Sequence, residues 1–166
     1  AHMEDTKQSD YSVIIRNLLT KQDLDLYISE LEELERELFH VKTPFDEAIG
    51  KILHYQKKET LIHFLHNSGV VDQDLVKTRD QIEKLKEELI SIPVLGITLS
   101  FPPNQDQIEK ISMSVTDQTQ SPVILNITVD TRIIGGALLE WRGKYHNYSL
   151  KKKIDEYFIK GLKVSS

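Results

Sequence analysis

From about Asp10 to Ile92, apolar residues recur at three- and four-residue intervals, the period of helices that bury one face. In "DLDLYISELEELERELF", Leu24, Ile28, Leu31, Leu34 and Leu38 fall on one side, and Glu32, Glu33, Arg36 and Glu37 fall largely on the other. A second strong pattern, "DLVKTRDQIEKLKEEL", sets Leu75, Ile82, Leu85, Leu89 and Ile92 on a near-heptad stripe. Shorter segments, "YSVIIRNLL", "PFDEAIGKILHY" and "KKETLIHFLHNSG", complete this half. Pro44 suits a first helical position and Gly69 a stop after Ser68. Four or five helices with short connections predict an antiparallel bundle.

At Pro93 the period changes. "VLGITLSF" alternates like a half-buried strand, and Pro102-Pro103 ends it. "NQDQIEKISMSV" reads as a helix, with Asn104 as N-cap and Ile108, Ile111 and Val115 on its apolar side. "PVILNITV" and "GALLEWRGKY" are two more strands. "SLKKKIDEYFIKGL" is a closing helix capped by Ser149, with Ile154, Phe158 and Leu162 recurring every four residues. The order β-α-β-β-α predicts a small sheet with helices on one face, so the chain reads as α+β. The expected organisation is a tag remnant and flexible start over 1–9, a helical bundle over 10–92 and a small α/β domain over 93–166. Ala1-His2-Met3 reads as the scar of a cleaved expression tag.

Charge sharpens this division. The net charge is −5 over 166 residues, yet residues 1–92 carry 12 Lys/Arg against 19 Asp/Glu, while residues 93–166 carry 9 against 7. Two units with different partners are the expectation. The absence of cysteine removes disulfides, thiolate metal sites and a cysteine nucleophile. No apolar run approaches the roughly 18 residues of a membrane span, and no leader pattern opens the chain, so a cytosolic protein is expected.

Candidate chemistry is sparse. The Gly135-Gly136 pair lacks both the lysine and the following helix that a phosphate cradle needs, and strand-like Ala137-Leu138-Leu139-Glu140-Trp141 comes next. It reads as a turn or bulge entering a strand, where positive φ is permitted. Asp130 reads as an Asx-type cap of the turn leading to that pair. Glu59, His63 and His66 share a helical spacing with His54 nearby. They lack the order of a catalytic zinc helix, and amphipathic edge positions explain them, so no metal or cofactor is expected. No constellation for nucleophilic or acid–base catalysis emerges. Residues 142–153 hold five Lys/Arg and no acid beside Tyr145, His146 and Tyr148. A solvated helix start or an acidic protein partner suits this segment in an acidic chain better than nucleic acid does.

"LNITVDTRIIGGALLEWRGKYHNYSLKKKIDEY" resembles the C-terminal signature of the F-type ATP synthase delta subunit family, whose mitochondrial counterpart is the oligomycin-sensitivity-conferring protein. In that family a strand ends in Val-Asp, and then come an apolar turn residue, a Gly-Gly pair, a strand with a polar end, a glycine turn and a Ser-led basic helix. Val129, Asp130, Ile133, Gly135, Gly136, Leu139, Glu140, Ser149, Lys153 and Ile154 occupy the corresponding positions. "VLGITLSFPPNQDQIEKISMSV" is similar to the strand, proline break and helix that precede it. The chain departs in having about one helix fewer before Pro93 than the usual six, and in placing Gly143 one position late.

The resemblance implies a non-catalytic stator connector without a cofactor or small-molecule substrate. Its partners would be the N-terminal helix of the alpha subunit and the b-subunit stalk. The implied location is cytoplasmic, peripheral to the inner (plasma) membrane through the complex. The residues expected at partners are Leu18, Tyr27 and Leu31 in the helical grooves, with Arg142, Lys144, Lys151 and Lys153 in the C-terminal unit. Asp130, Gly135, Gly136 and Ser149 are the structural signature. Two alternatives are a nucleic-acid module using 142–153 and a stalk subunit like the E subunit of V- or A-type ATPases, which a single long N-terminal helix would favour.

Overall fold

The computed structural model describes residues 11–70, 74–134, 136–141 and Lys152. The fold class is α+β. The residues gather into two compact units, one taking residues up to Leu18 with Asp23–Ser91, the other Leu19–Gln22 with the residues from Ile92 onward.

The helical unit contains α1 (11–15), α2 (Lys21–Arg36), α3 (Phe45–Ile52), α4 (Tyr55–Asn67) and α5 (Leu75–Ser91). In α2 the buried positions are Leu24, Tyr27, Leu31 and Leu34, continued by Leu38. Tyr27 therefore takes the seam position expected of Ile28, which is only half-buried. The spacing alternates three and four residues, so one narrow stripe stays in the core along the whole helix. The helix then widens into a π-helical turn over Glu37–Val41. It stops at Lys42, whose backbone enters the left-handed region at φ 63 and whose N–H donates to the Glu37 carbonyl. Thr43 reinforces the stop: its N–H also reaches the Glu37 carbonyl at 2.9 Å, and its hydroxyl donates to Glu37 Oε2 at 2.7 Å.

On α5 the buried stripe is Thr78, Ile82, Leu85 and Leu89. Leu75, expected on that stripe, is 46% exposed. Thr78 closes the first turn instead, its hydroxyl returning to the Asp74 carbonyl at 2.8 Å, which satisfies a buried polar group locally.

The second unit is built on β1 (Val94–Leu99), α6 (Gln105–Thr119), β2 (Ile124–Val129) and β3 (Ala137–Trp141). Strand β1 is central, parallel to β2 and antiparallel to β3. Its alternation buries Leu95, Ile97 and Leu99 with Ile111 and Val115 of α6, Leu125 of β2 and Leu139 of β3. The far side of β2 is also partnered, because the Leu125 N–H donates to the Leu19 carbonyl at 2.9 Å and Thr20 bridges Leu125 in parallel. A segment distant in sequence thus extends the sheet.

Sequence chemistry fixes the ends of α6. Asn104 Oδ1 accepts from the Gln107 N–H at 2.8 Å, and Gln107 Oε1 accepts from the Asn104 N–H at 2.8 Å, a reciprocal capping box. The turn between β2 and β3 ends at Gly136, whose φ is 72. That conformation clashes with a branched Cβ, which is why glycine stands there. Gly135 lies outside the described residues, as does the expected closing helix capped by Ser149.

Two substitutions test these assignments. Asn104→Ala is expected to cost about 1 kcal/mol through the lost cap, read as a lower denaturant midpoint with an unchanged m value. Gly136→Val is expected to cost about 1–3 kcal/mol. A melting temperature equal to that of the parent would remove the positive-φ requirement.

Candidate partner-binding surfaces

Leu18, Tyr27 and Leu31 are 5%, 1% and 0% exposed, so they do not offer side chains to a partner helix. They line the core, so a groove beside them would be formed by their neighbours. The same amphipathic spacing that marks a docking face also marks a core seam, and here these side chains are buried. The Tyr27 hydroxyl is buried without a hydrogen-bond partner. Burial, and next the Glu30 carboxylate, push its pKa up and keep the phenol neutral. Lys57 covers it, with Nζ 5.7 Å from the ring centroid and 2.8 Å from Glu30 Oε1.

Helices α2 and α5 are joined by charge. Lys86 Nζ lies 2.6 Å from Glu35 Oε1 and 3.1 Å from Glu83 Oε1. The contact to Glu35 Oε1 is a close ion pair without the alignment of a hydrogen bond. Burial raises the Glu35 carboxyl pKa against the opposing pull of Lys86. One ammonium thus serves two carboxylates, a local tie between helices with no feature of a reaction centre.

The helical unit has an open cavity of about 790 Å³. Its apolar wall includes Leu38, Phe39, Phe45, Ile62, Leu65 and Leu75, and Lys42, Asp46 and His66 stand among the polar lining residues. It lies where the seam of α2 ends: the π-helical turn and the Lys42 stop turn the chain toward Pro44 and α3. Phe39 is held from outside by Arg79, whose guanidinium carbon is 5.4 Å from the ring centroid. Sequence reasoning missed this cavity. The available signal was apolar residues off the main stripe, Phe39 and Val41, followed by Thr43-Pro44-Phe45.

In the second unit, Asp130 organises the β2–β3 turn. Its Oδ1 accepts from the Arg132 N–H at 3.0 Å, an Asx turn, and its two oxygens accept from Arg132 Nε and Nη2, each at 3.0 Å. The Arg132 side-chain hydrogen bonds, followed by its backbone N–H, hold the Asp130 carboxyl below the usual carboxylate range. Asp130 is thus committed to its turn, which presents Ile134 fully exposed at its end.

His63 Nε2 lies 3.0 Å from the Asn67 amide nitrogen, and His66 faces the cavity. Among the described residues no group of three or more side chains could hold a metal ion. Arg142, Lys144, Ser149, Lys151 and Lys153 lie outside the described residues. No helix among the described residues is long and apolar enough to cross a membrane.

The helical half consists of short helices, the longest described being the 17 residues of α5, which differs from the single long helix of an E-like stalk subunit. Among curated proteins, none matches the chain. The family profile of the ATP synthase delta (OSCP) subunit matches residues 72–158, from the start of α5 through the β-sheet and past the basic segment. That span is just over half of the chain and contains both the Asp130 turn and the Gly135-Gly136 pair. The protein therefore belongs to the ATP synthase delta (OSCP) subunit family, the peripheral-stalk, stator subunits of F-type ATP synthase.

Proposed function

We propose that this chain is a non-catalytic connector of the F-type stator, joining the catalytic head to the peripheral stalk. In this reading the helical unit holds the N-terminal helix of the alpha subunit, and the C-terminal unit holds the end of the b-subunit stalk. The family match over 72–158 is the observation that carries it. Further support comes from the separation into two compact units with opposite charge balance, which suits two different partners. Asp130 is held in its turn by Arg132, and Lys86 ties α2 to α5 through Glu35 and Glu83, contacts that suit a structural adaptor. Arg142, Lys144, Lys151 and Lys153 are the positions proposed to meet an acidic stalk surface. The protein would then lie at the cytoplasmic side of the inner (plasma) membrane, attached through the complex.

A calorimetric titration with two synthetic peptides tests this reading, one from the N-terminus of alpha and one from the C-terminus of b of the same synthase. Saturable binding of each at micromolar affinity or tighter, roughly −8 kcal/mol, is expected. A folded, monomeric protein that binds neither would leave family membership without the proposed linking role.

A further inference from the structure

Helices α2 and α5 meet at a cluster whose charges do not balance. Lys86 Nζ lies 2.6 Å from Glu35 Oε1 and 3.1 Å from Glu83 Oε1, so one ammonium stands between two carboxyl groups. The Glu35 and Lys86 side chains are only 15% and 16% exposed, whereas that of Glu83 is 48% exposed. Glu35 Oε1 is sealed from solvent and has no aligned hydrogen-bond donor. A carboxylate oxygen in that position gives up its hydration and gains in return only a share of one cation. With both carboxyls ionised the cluster carries one negative charge in excess. One bound proton makes it neutral.

The surrounding groups decide where that proton sits. Lys86 and Glu83, both from α5, act on Glu35, and Arg79 acts on Glu83 from one turn earlier. Arg36 and Glu37, next along α2, have other partners: Arg36 lies 3.8 Å from Glu33, and Glu37 accepts from the Thr43 hydroxyl at 2.7 Å. The Glu35 and Glu83 carboxyls are in hydrogen-bonding contact with each other, which requires a proton between them. Burial raises the Glu35 carboxyl against the pull of Lys86, with Glu83 adding to the rise. Glu83 is held below the usual carboxylate range by its hydrogen bond with Glu35 and next by that with Lys86. Burial draws the Lys86 pKa down, but Glu35 and Glu83 more than offset it, so the ammonium persists.

From this geometry we infer that Glu35 and Glu83 share one proton beside the Lys86 ammonium and so form an acid-tightened clasp between α2 and α5. As pH rises, the proton passes from Glu35 to bulk water and leaves two carboxylates to repel each other across the helix pair. The stability that Glu35 gains from its retained proton is fully present below its unfolded value, about 4.3, and is lost as pH rises through its folded value. Glu83 has the opposite sign, and its contribution is lost as pH falls through its own depressed value. The clasp is therefore tightest close to the ordinary carboxylate pKa. It belongs to the helical unit alone and holds whether or not the connector reading does.

Two measurements on the full chain test the clasp. The first follows the side-chain carboxyl carbons of Glu35 and Glu83 by NMR against pH. Expected are two macroscopic steps seen by both signals, one on each side of the ordinary value. Two independent single steps at that value would overturn the shared proton. The second compares melting temperatures at about pH 4.5 and pH 8 for the parent, Glu35→Gln, which fixes the neutral form, and Glu87→Gln, an exposed control on α5. Contributions common to all three proteins cancel in the comparison. Glu35→Gln is expected to melt about 2 °C or more above the parent at pH 8, with the gap closing toward pH 4.5, while the control follows the parent at both. A variant that melts below the parent at pH 8, or a gap unchanged between the two pH values, would overturn the clasp. Should Glu35→Gln fail to fold, the carboxyl titration of the parent decides alone.

Discussion

The seam of α2 is the constraint on which the helical unit depends. Leu24, Tyr27, Leu31, Leu34 and Leu38 are all at most 3% exposed, and each fully buried leucine contributes about 2 kcal/mol relative to an exposed one. Those residues cannot serve both as core and as a partner's landing site. The seam stops at the π-helical turn and the left-handed Lys42. The cavity follows from that stop, because the chain must turn through Thr43 and Pro44 before α3 can pack back.

In the second unit β1 has the equivalent part. It is paired on both sides and buries Leu95, Ile97 and Leu99 on one face, so β2, β3 and α6 are all positioned relative to it. The reciprocal Asn104–Gln107 cap starts α6, and the Asp130–Arg132 turn leads from β2 toward β3. These polar devices are local and saturated. Their chemistry is structural, and it agrees with a subunit whose family forms a stator.

Much of this was legible in the sequence where one physical rule decided the outcome. The switch from helical period to alternation at Pro93, the Asn104 cap, the strand at Val94–Leu99 and the turn glycine at 136 each follow from local pattern or backbone sterics. Errors arose where two rules compete. Tyr27 and Ile28 are adjacent candidates for one seam position, and only packing shows that the larger, longer side chain goes inside while its hydroxyl stays unpartnered. Leu75 fits a stripe that Thr78 closes by bonding back to Asp74. Leu18, Tyr27 and Leu31 show a general point: apolar periodicity identifies a face to be covered but does not say whether the covering surface belongs to the same chain, and burial places these three side chains in the core. The parallel bridge from Thr20 to Leu125 was out of reach, since nothing local to either residue announces the other.

The central claim is that one chain holds head and stalk at the same time. Sedimentation velocity of the catalytic head, the soluble part of the b stalk and this protein, alone and in every combination, tests it most directly. The account predicts a single faster species containing all three, formed only when this chain is present. Head and stalk sedimenting separately in its presence, or associating equally well without it, would contradict the account.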